Sequence, residues 1–320
     1  MKKKNCNLIF ASVLSFSLFL QPLSAFASPQ PVREEETESA SVNETVSVDE
    51  TAQTIRISNA KELEEFAKQC HVDTFSLGLN VVLTEDIVLT GSEFTGIPIF
   101  SGHLDGAGHT ISGYRYGGDG YVTGFFRYLC EDAKVENLNL NVTVSAGGKQ
   151  SVTGGIAGIN RGSIENCTVS GRIKGKSDTG GIVGINETTG SVISCTNAAE
   201  LSGFYCTGGI TGKNYGLVSK CENTGNINNS VEWVEEDDEM GGDILSGITG
   251  VESVSEVRLR SGIDTGGIAG YSKGVILSCT NDAIIGYEHA GYNVGGIAGR
   301  QCGSMNGCTN NGNIYGRKDI

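Results

Sequence analysis

From Thr123 onward the chain sets short β-branched runs between glycines, and it does so on a period. The hexapeptide Thr153-Gly-Gly-Ile-Ala-Gly158 returns as TGGIVG from Thr179, TGGITG from Thr207, TGGIAG from Thr265 and VGGIAG from Val294. Each copy leads to a second run that ends at a recurrent cysteine, and then to a third such as Gly171-Arg-Ile173 or Gly225-Asn-Ile227. Val135-Glu-Asn-Leu138 lies 29 residues before Ile164-Glu-Asn-Cys167, and the cysteine then recurs at Cys195, Cys221, Cys279 and Cys308, in steps of 28, 26, 58 and 29. A step of 58 is two periods. Gly247-Ile-Thr-Gly250 with Val254 to Leu259 fits inside it as a degenerate copy, with Val257 where the cysteine belongs; one long loop is the alternative. With that copy, seven coils are expected from Thr123, each of three short strands.

A unit this short cannot bury its own aliphatic side chains, so burial has to come from stacking. If each unit is one coil, equivalent strands pair in parallel about 4.7 to 4.9 Å apart, and Ile156, Ile182, Ile210, Ile268 and Ile297 form one interior column. Upstream, Asn59 with Glu62 reads as a helix start, and Leu63, Phe66, Ala67 and Cys70 then share one helical face, predicting a short helix laid over the end of a sheet. Strands are expected at residues 79–83, 86–89 and 97–104, and after the turn Asp105-Gly-Ala-Gly108 at residues 109–113. The fold class is all-β, a parallel β-helix with a short N-terminal capping helix.

Composition then sets the boundaries. Residues 1–27 carry three lysines, an apolar run from Leu8 to Leu20 and the small-x-small end Ala25-Phe-Ala27, the layout of a cleavable export signal. That run is too short to cross a membrane, and no later apolar stretch is long enough, so no transmembrane segment is expected in the mature chain. Residues 28–53 are rich in Glu, Ser and Val with no aromatic residue, an acidic linker, which leaves residues 54–320 for the β-helix. Removing the signal takes the formal charge from −14 to 20 − 37 = −17, which excludes a nucleic-acid partner for want of a basic face.

Repeats written GGIAGxNxGxIxxC followed by GxI resemble the GLUG-motif repeats of bacterial exported and surface proteins. The stretch IPIFSGHLDGAGHTISG, residues 97–113, with Thr123-Gly-Phe-Phe126 after it, is similar to the lead-in of such repeats. The resemblance covers residues 55–316 and implies a right-handed β-helix of the pectate-lyase-like class, and an extracellular or cell-surface place. Ser272 and Gln301 depart from the series Asn160, Asn186, Asn214, which bears on the turns rather than on the fold. Such regions also occur in some IgA-protease-like zinc peptidases, but the HExxH run that carries their chemistry has no counterpart here.

Candidate chemistry is sparse. Nine cysteines follow the export signal, an odd number, and Cys167, Cys195, Cys221, Cys279 and Cys308 share one repeat position, where stacked Cβ atoms stay near strand spacing rather than the roughly 3.8 Å a disulfide needs. They read as buried thiols; Cys70, Cys130, Cys206 and Cys302 lie outside that column and remain open to pairing. No GxSxG or GK[ST] is present, so neither a serine elbow nor a phosphate loop is supported. His103 and His109 flank one glycine turn, which accounts for them without a metal. Acidic residues concentrate in an insertion at about 228–243, including Glu235, Glu236, Asp237 and Asp238; it reads as a solvated face, with a weak Ca2+ site as the alternative and no other cofactor implied. Tyr114, Tyr116 and Tyr121 crowd a glycine loop and are candidates for ligand contact, against half-buried packing.

The expectation is a secreted or cell-surface interaction module without catalytic activity, contacting an extracellular glycan or protein. Its variable segments, residues 174–178, 202–206, 228–243 and 286–293, recur at one corner of every coil and should line one side of the solenoid. Two alternatives stand beside it: a polysaccharide lyase or glycosidase on a β-helix, and an accessory fragment of a larger surface protein or IgA-protease-like peptidase lacking its catalytic part.

Overall fold

The structure, a computed structural model, describes residues 48–49, 54–148, 150–230, 233–234, 258–259, 262–288 and 290–316. The chain divides into two compact units, residues 1–44 and 45–320, and every described residue belongs to the second. That unit is a parallel β-solenoid.

It starts with the strand Thr54–Ile57 and the helix Ala60–Gln69. Asn59 caps the helix, its side chain accepting from the Glu62 amide at 3.0 Å, while the Glu62 carboxylate accepts from the Ser58 amide at 2.7 Å. Leu63, Phe66 and Ala67 are buried as the spacing predicts, and Phe66 meets the rings of Phe75 and Phe100. The helix packs on Ile97–Phe100, the end strand of a seven-stranded sheet. The run expected as one strand at 97–104 is two, Ile97–Phe100 and His103–Asp105, with the chain bending at Ser101-Gly102. A Cβ at Gly102 would lie 2.7 Å from the carbonyl oxygens of both Leu79 and Ser76, so this bend needs glycine.

Each full coil has four strands, not the three read from the sequence. Val152–Gly154, Ala157–Asn160, Ser163–Glu165 and Thr168–Lys174 are typical, and they contribute in turn to a six-, a seven-, a ten- and an eight-stranded sheet. The extra break falls inside the hexapeptide. A Cβ on Gly154 would stand 2.0 Å from the Ala157 carbonyl oxygen, and one on Gly155 would stand 2.4 Å from that of Gly181 in the next coil. The glycine pair therefore folds one apparent strand into two. A second corner precedes each recurrent cysteine, where Asn166, Ser194, Lys220 and Ser278 adopt φ of 51°, 54°, 56° and 53°. This left-handed residue turns the chain from the ten-stranded to the eight-stranded sheet, a conformation that asparagine tolerates better than serine or lysine.

Stacking is in register: Thr153 faces Thr179, Ile164 faces Val192, and Thr168 faces Thr196. Ile156, Ile182, Ile210 and Ile268 are fully buried, and Ile297 is partly covered. Each buried isoleucine is worth about 1.5 to 3 kcal/mol against exposure, offset by the entropy of ordering its backbone. Cys167, Cys195, Cys221 and Cys279 fill a neighbouring column and Cys308 is half-buried; all nine described cysteines are free thiols, Cys70, Cys130, Cys206 and Cys302 included. Burial pushes the thiol of Cys70 up to about 12, and that of Cys195 is likewise held up, so these sulfurs behave as small apolar groups.

The step of 58 residues does not contain a coil. Thr207 pairs directly with Thr265, Val218 with Ile276, Asn223 with Asn281 and Ile227 with Ile285, so the two flanking coils are adjacent on every face. Between Ser230 and Gly262, Trp233–Val234 pairs antiparallel with Arg258–Leu259, and residues 247–257 of the expected degenerate copy lie outside the described residues. The six-stranded sheet counts six coils from Val122, against the seven expected. Glu235, Glu236, Asp237, Asp238 and Val257 lie outside the described residues.

Two amide ladders run through the stack. Asn160 donates to Asn186 and Asn186 to Asn214, each at 2.9 Å, and Asn214 donates to the Ser272 hydroxyl at 3.3 Å. A second ladder links Asn197, Asn223, Asn281 and Asn310, every rung at 2.7 Å. Sequence reading noticed the first series and missed the second, although the run Cys-x-Asn at 195–197, 221–223, 279–281 and 308–310 marks it.

Candidate functional site at the loop corner

The segments that follow the eight-stranded sheet return to the six-stranded one at a single corner. There the loops of successive coils line one groove, with Lys174, Lys176, Phe204, Asn228, Ser230 and Tyr287 among its walls. Glycines form its floor because the loops close on the threonine column: a Cβ on Gly175 would sit 2.2 Å from the Thr179 hydroxyl oxygen, and one on Gly203 would sit 2.3 Å from that of Thr207. Asn228, at φ 50°, ties three coils together by accepting from the Gly203 amide at 2.8 Å and donating to the Thr265 hydroxyl at 3.1 Å. The enclosed volume is about 50 Å³. That is room for a few waters rather than for an engulfed small molecule, so the groove offers a contact surface.

Backbone groups at this corner are largely committed to the stack. The Gly175 amide donates to Ser202, Tyr205 to Lys176, Asn228 to Leu201 and Gly286 to Ile227. Side-chain chemistry at the groove comprises the Lys176 ammonium, the aromatic faces of Phe204 and Tyr287, and small hydroxyls.

The tyrosines singled out from the sequence do not share a face. Tyr114 is 1% exposed, packs against Phe94 and Phe125, and donates its hydroxyl to the Gly124 carbonyl at 3.0 Å. Burial holds its phenol above the ordinary range. Tyr116 is half-buried and its oxygen accepts from the Gly120 amide at 3.0 Å, bracing the glycine loop. Tyr121 is 62% exposed and is the member of the three that is open to a ligand.

A charged cluster escaped the sequence reading because its members meet only when coils stack. Asp178, nearly buried, lies 3.0 Å from Lys213, and Asp264, equally shielded, is held by Arg300 and by the Asn293 amide at 2.7 Å. Both acids immediately precede a Thr-Gly pair, and the cations occupy the third positions of Thr211–Asn214 and Ala298–Gln301, each one coil on from its acid. Burial alone would lower the Lys213 pKa; the bond to Asp178 outweighs it and the net shift is upward. Arg300 is raised by its bond to Asp264, and its guanidinium lies 5.0 Å from the Tyr271 ring centre. Cys206 sits between the two acids along the stack, and burial, with Asp178 adding to it, pushes its thiol up to about 12. Each carboxylate is already engaged by a cation, so the cluster works as a pair of struts across coils rather than as an open acid-base pair.

Among the described residues no group of three or more His, Cys, Asp or Glu side chains is placed to hold a metal ion. No described helix is long and apolar enough to cross a membrane.

Residues 150–174 match the family model described as the GLUG motif. The chain carries a GLUG repeat. The matched span is one coil, Val152–Lys174 with its lead-in, and the register places the other coils on the same pattern. Halomucin of Haloquadratum walsbyi is 36% identical over 89 residues, which is 28% of this chain and 1% of that protein. This chain thus spans a very small part of that relative. A candidate immunoglobulin A1 protease from Bacteroides ovatus superposes with a TM-score of 0.54 at 16% identity, covering 83% of this chain and 78% of that one. At that identity the likeness concerns the fold alone.

Proposed function

We propose that this protein is a secreted or cell-surface β-helical interaction module, without catalytic activity of its own, that engages an extracellular glycan or protein through the loop corner. The observation that carries the reading is the convergence of loops from successive coils in one groove whose walls combine cations with aromatic faces. A rigid stack with the same corner repeated along its axis presents a graded surface at little entropic cost on binding. The similarity to part of halomucin and the export-type leader support a place outside the cell. The two acids that resemble an acid-base pair are consumed in ion pairs, which favours binding over hydrolysis.

A binding array of glycans and host proteins, probed with the mature chain, tests this. At least one ligand class should be captured by the parent and lost about tenfold or more in Phe204→Ala and Tyr287→Ala, the range typical of an aromatic anchor. Ligands retained equally by both variants would place the contact elsewhere.

A further inference from the structure

Lys176, Phe204 and Tyr287 stand on three different loops of the corner, and each offers the groove a group that the stack does not use. The Phe204 ring meets Tyr205 edge-on with ring centres 4.6 Å apart, and the Tyr205 amide donates to the Lys176 carbonyl at 3.3 Å, so this wall is fixed before a ligand arrives. Tyr287 is 43% exposed and follows Gly286, which is tied to the Ile227 carbonyl at 2.8 Å. Lys176 is half-buried, and among the described residues its ammonium has no ion-pair partner. None of the described residues lining the groove is Asp or Glu, although the whole chain carries a formal charge of −14. The floor is polar as well: beneath Gly175 the fully buried Thr179 hydroxyl has no hydrogen-bond partner.

We propose that the groove takes an acidic oligosaccharide lying along the solenoid axis, with a sugar carboxylate at Lys176 and pyranose faces on Phe204 and Tyr287. The assignment rests on the loop corner being the binding surface, and it names the ligand class. A peptide added as a strand would need unpaired main-chain groups, and the amides of Gly175, Tyr205, Asn228 and Gly286 are already spent on neighbouring coils. Recognition therefore falls to side chains, and rigid aromatic faces beside small hydroxyls match the apolar faces and hydroxyl rims of sugar rings. A neutral chain would leave the half-buried ammonium uncompensated, whereas a carboxylate gives it a charge-assisted hydrogen bond. From the loop of residues 174–178 to that of 286–293 is three coil steps, roughly 14 Å at the usual strand spacing, which calls for a chain of sugars rather than a single ring.

The test titrates oligosaccharides of hyaluronan, alginate and polysialic acid, each beside its carboxyl-reduced form, into the mature chain by calorimetry. At least one acidic member should bind about tenfold or more tighter than its reduced counterpart, the increment of one charge-assisted hydrogen bond. Added salt should erode that preference. Lys176→Gln should abolish it without moving the melting temperature, Lys176→Arg should keep it, and Phe204→Ala should weaken both members alike. Equal binding of acidic and reduced forms, or capture of proteins but of no acidic glycan, would overturn the ligand class while leaving the corner a binding surface. A preference that survives Lys176→Gln overturns the placement of the carboxylate. A chain that captures neither glycan nor protein sinks the binding reading itself.

Discussion

One column of the eight-stranded sheet changes chemistry partway along the solenoid, and the two halves hold themselves together differently. Ile111, Leu140 and Val169 occupy it in the early coils; Asn197, Asn223, Asn281 and Asn310 occupy it in the later ones. The seven-stranded sheet shows the same contrast, with Phe126 in register with Ala157, which is followed by Val183, Thr211 and Ala269. The early coils fill their interior with Phe94, Phe100, Tyr114, Phe125 and Phe126, whose contacting ring centres lie 5.0 to 5.8 Å apart. The later ones rely on small side chains and amide rungs. Apolar contact is strong but indifferent to direction, whereas an amide rung forms at one register only. The early coils are thus suited to anchor the stack, and the later ones to propagate it.

The sharpest way to break the later region is to insert a charge into its apolar column. Ile210→Asp buries a carboxylate between Ile182 and Ile268 with no cation in the column, and should cost about 4 kcal/mol or more. Circular dichroism melting should show the loss of the coils around it. A variant as heat-stable as the parent would refute the column.

Next in size, the anchor should be most sensitive at its aromatic hub. Phe125 touches the rings of Phe94, Tyr114 and Phe126, so Phe125→Ala opens a cavity that the surrounding rings cannot refill and should cost about 3 to 5 kcal/mol in urea unfolding. Asn223→Ala, in contrast, removes little volume but leaves the Asn197 amide without its acceptor and the Asn281 oxygen without its donor. About 2 kcal/mol is expected from those two orphaned groups. If the alanine variant is neutral, the ladder does not hold the later coils and the contrast drawn between the two regions fails.

Much of this was legible in the residues themselves. The isoleucine and cysteine columns, the helix with its Asn59 cap and the recurrence of loops at one corner all follow from spacing, because a stacked repeat translates sequence period directly into contact. What escaped was whatever depends on atoms of two coils at once. The break inside TGGIAG is set by the Gly181 carbonyl one coil away, and the pairs Asp178 with Lys213 and Asp264 with Arg300 join residues 35 and 36 positions apart. The coil count differed for a related reason: glycine and valine punctuation does not by itself make a coil, and only the direct pairing of Thr207 with Thr265 shows that none intervenes in the stack. Tyr114 was read by its company in sequence, although its hydroxyl finds a partner inside.

The smallest effect expected concerns a charged ladder on the outer face of the anchor. Lys134 bridges Glu136 at 2.9 Å and Glu165 at 3.2 Å, and His103 reaches Glu136 at 2.6 Å. The bond from Lys134, with His103 assisting, lowers the Glu136 pKa below its ordinary value. A carboxylate whose folded pKa is depressed contributes stability above its unfolded pKa and loses it as pH falls through the folded value. Melting temperatures of the parent should therefore decline through the acid range below the ordinary glutamate pKa of about 4.3, and Glu136→Gln should flatten that decline while leaving the neutral-pH difference within about 1 kcal/mol. Raising the salt concentration should shrink the same difference, since these groups are partly open to solvent. A parallel pair of variants at Asn223 should show no such pH dependence, because its rungs carry no titrating proton. That divergence would separate the electrostatic register of the early outer face from the amide register of the later interior.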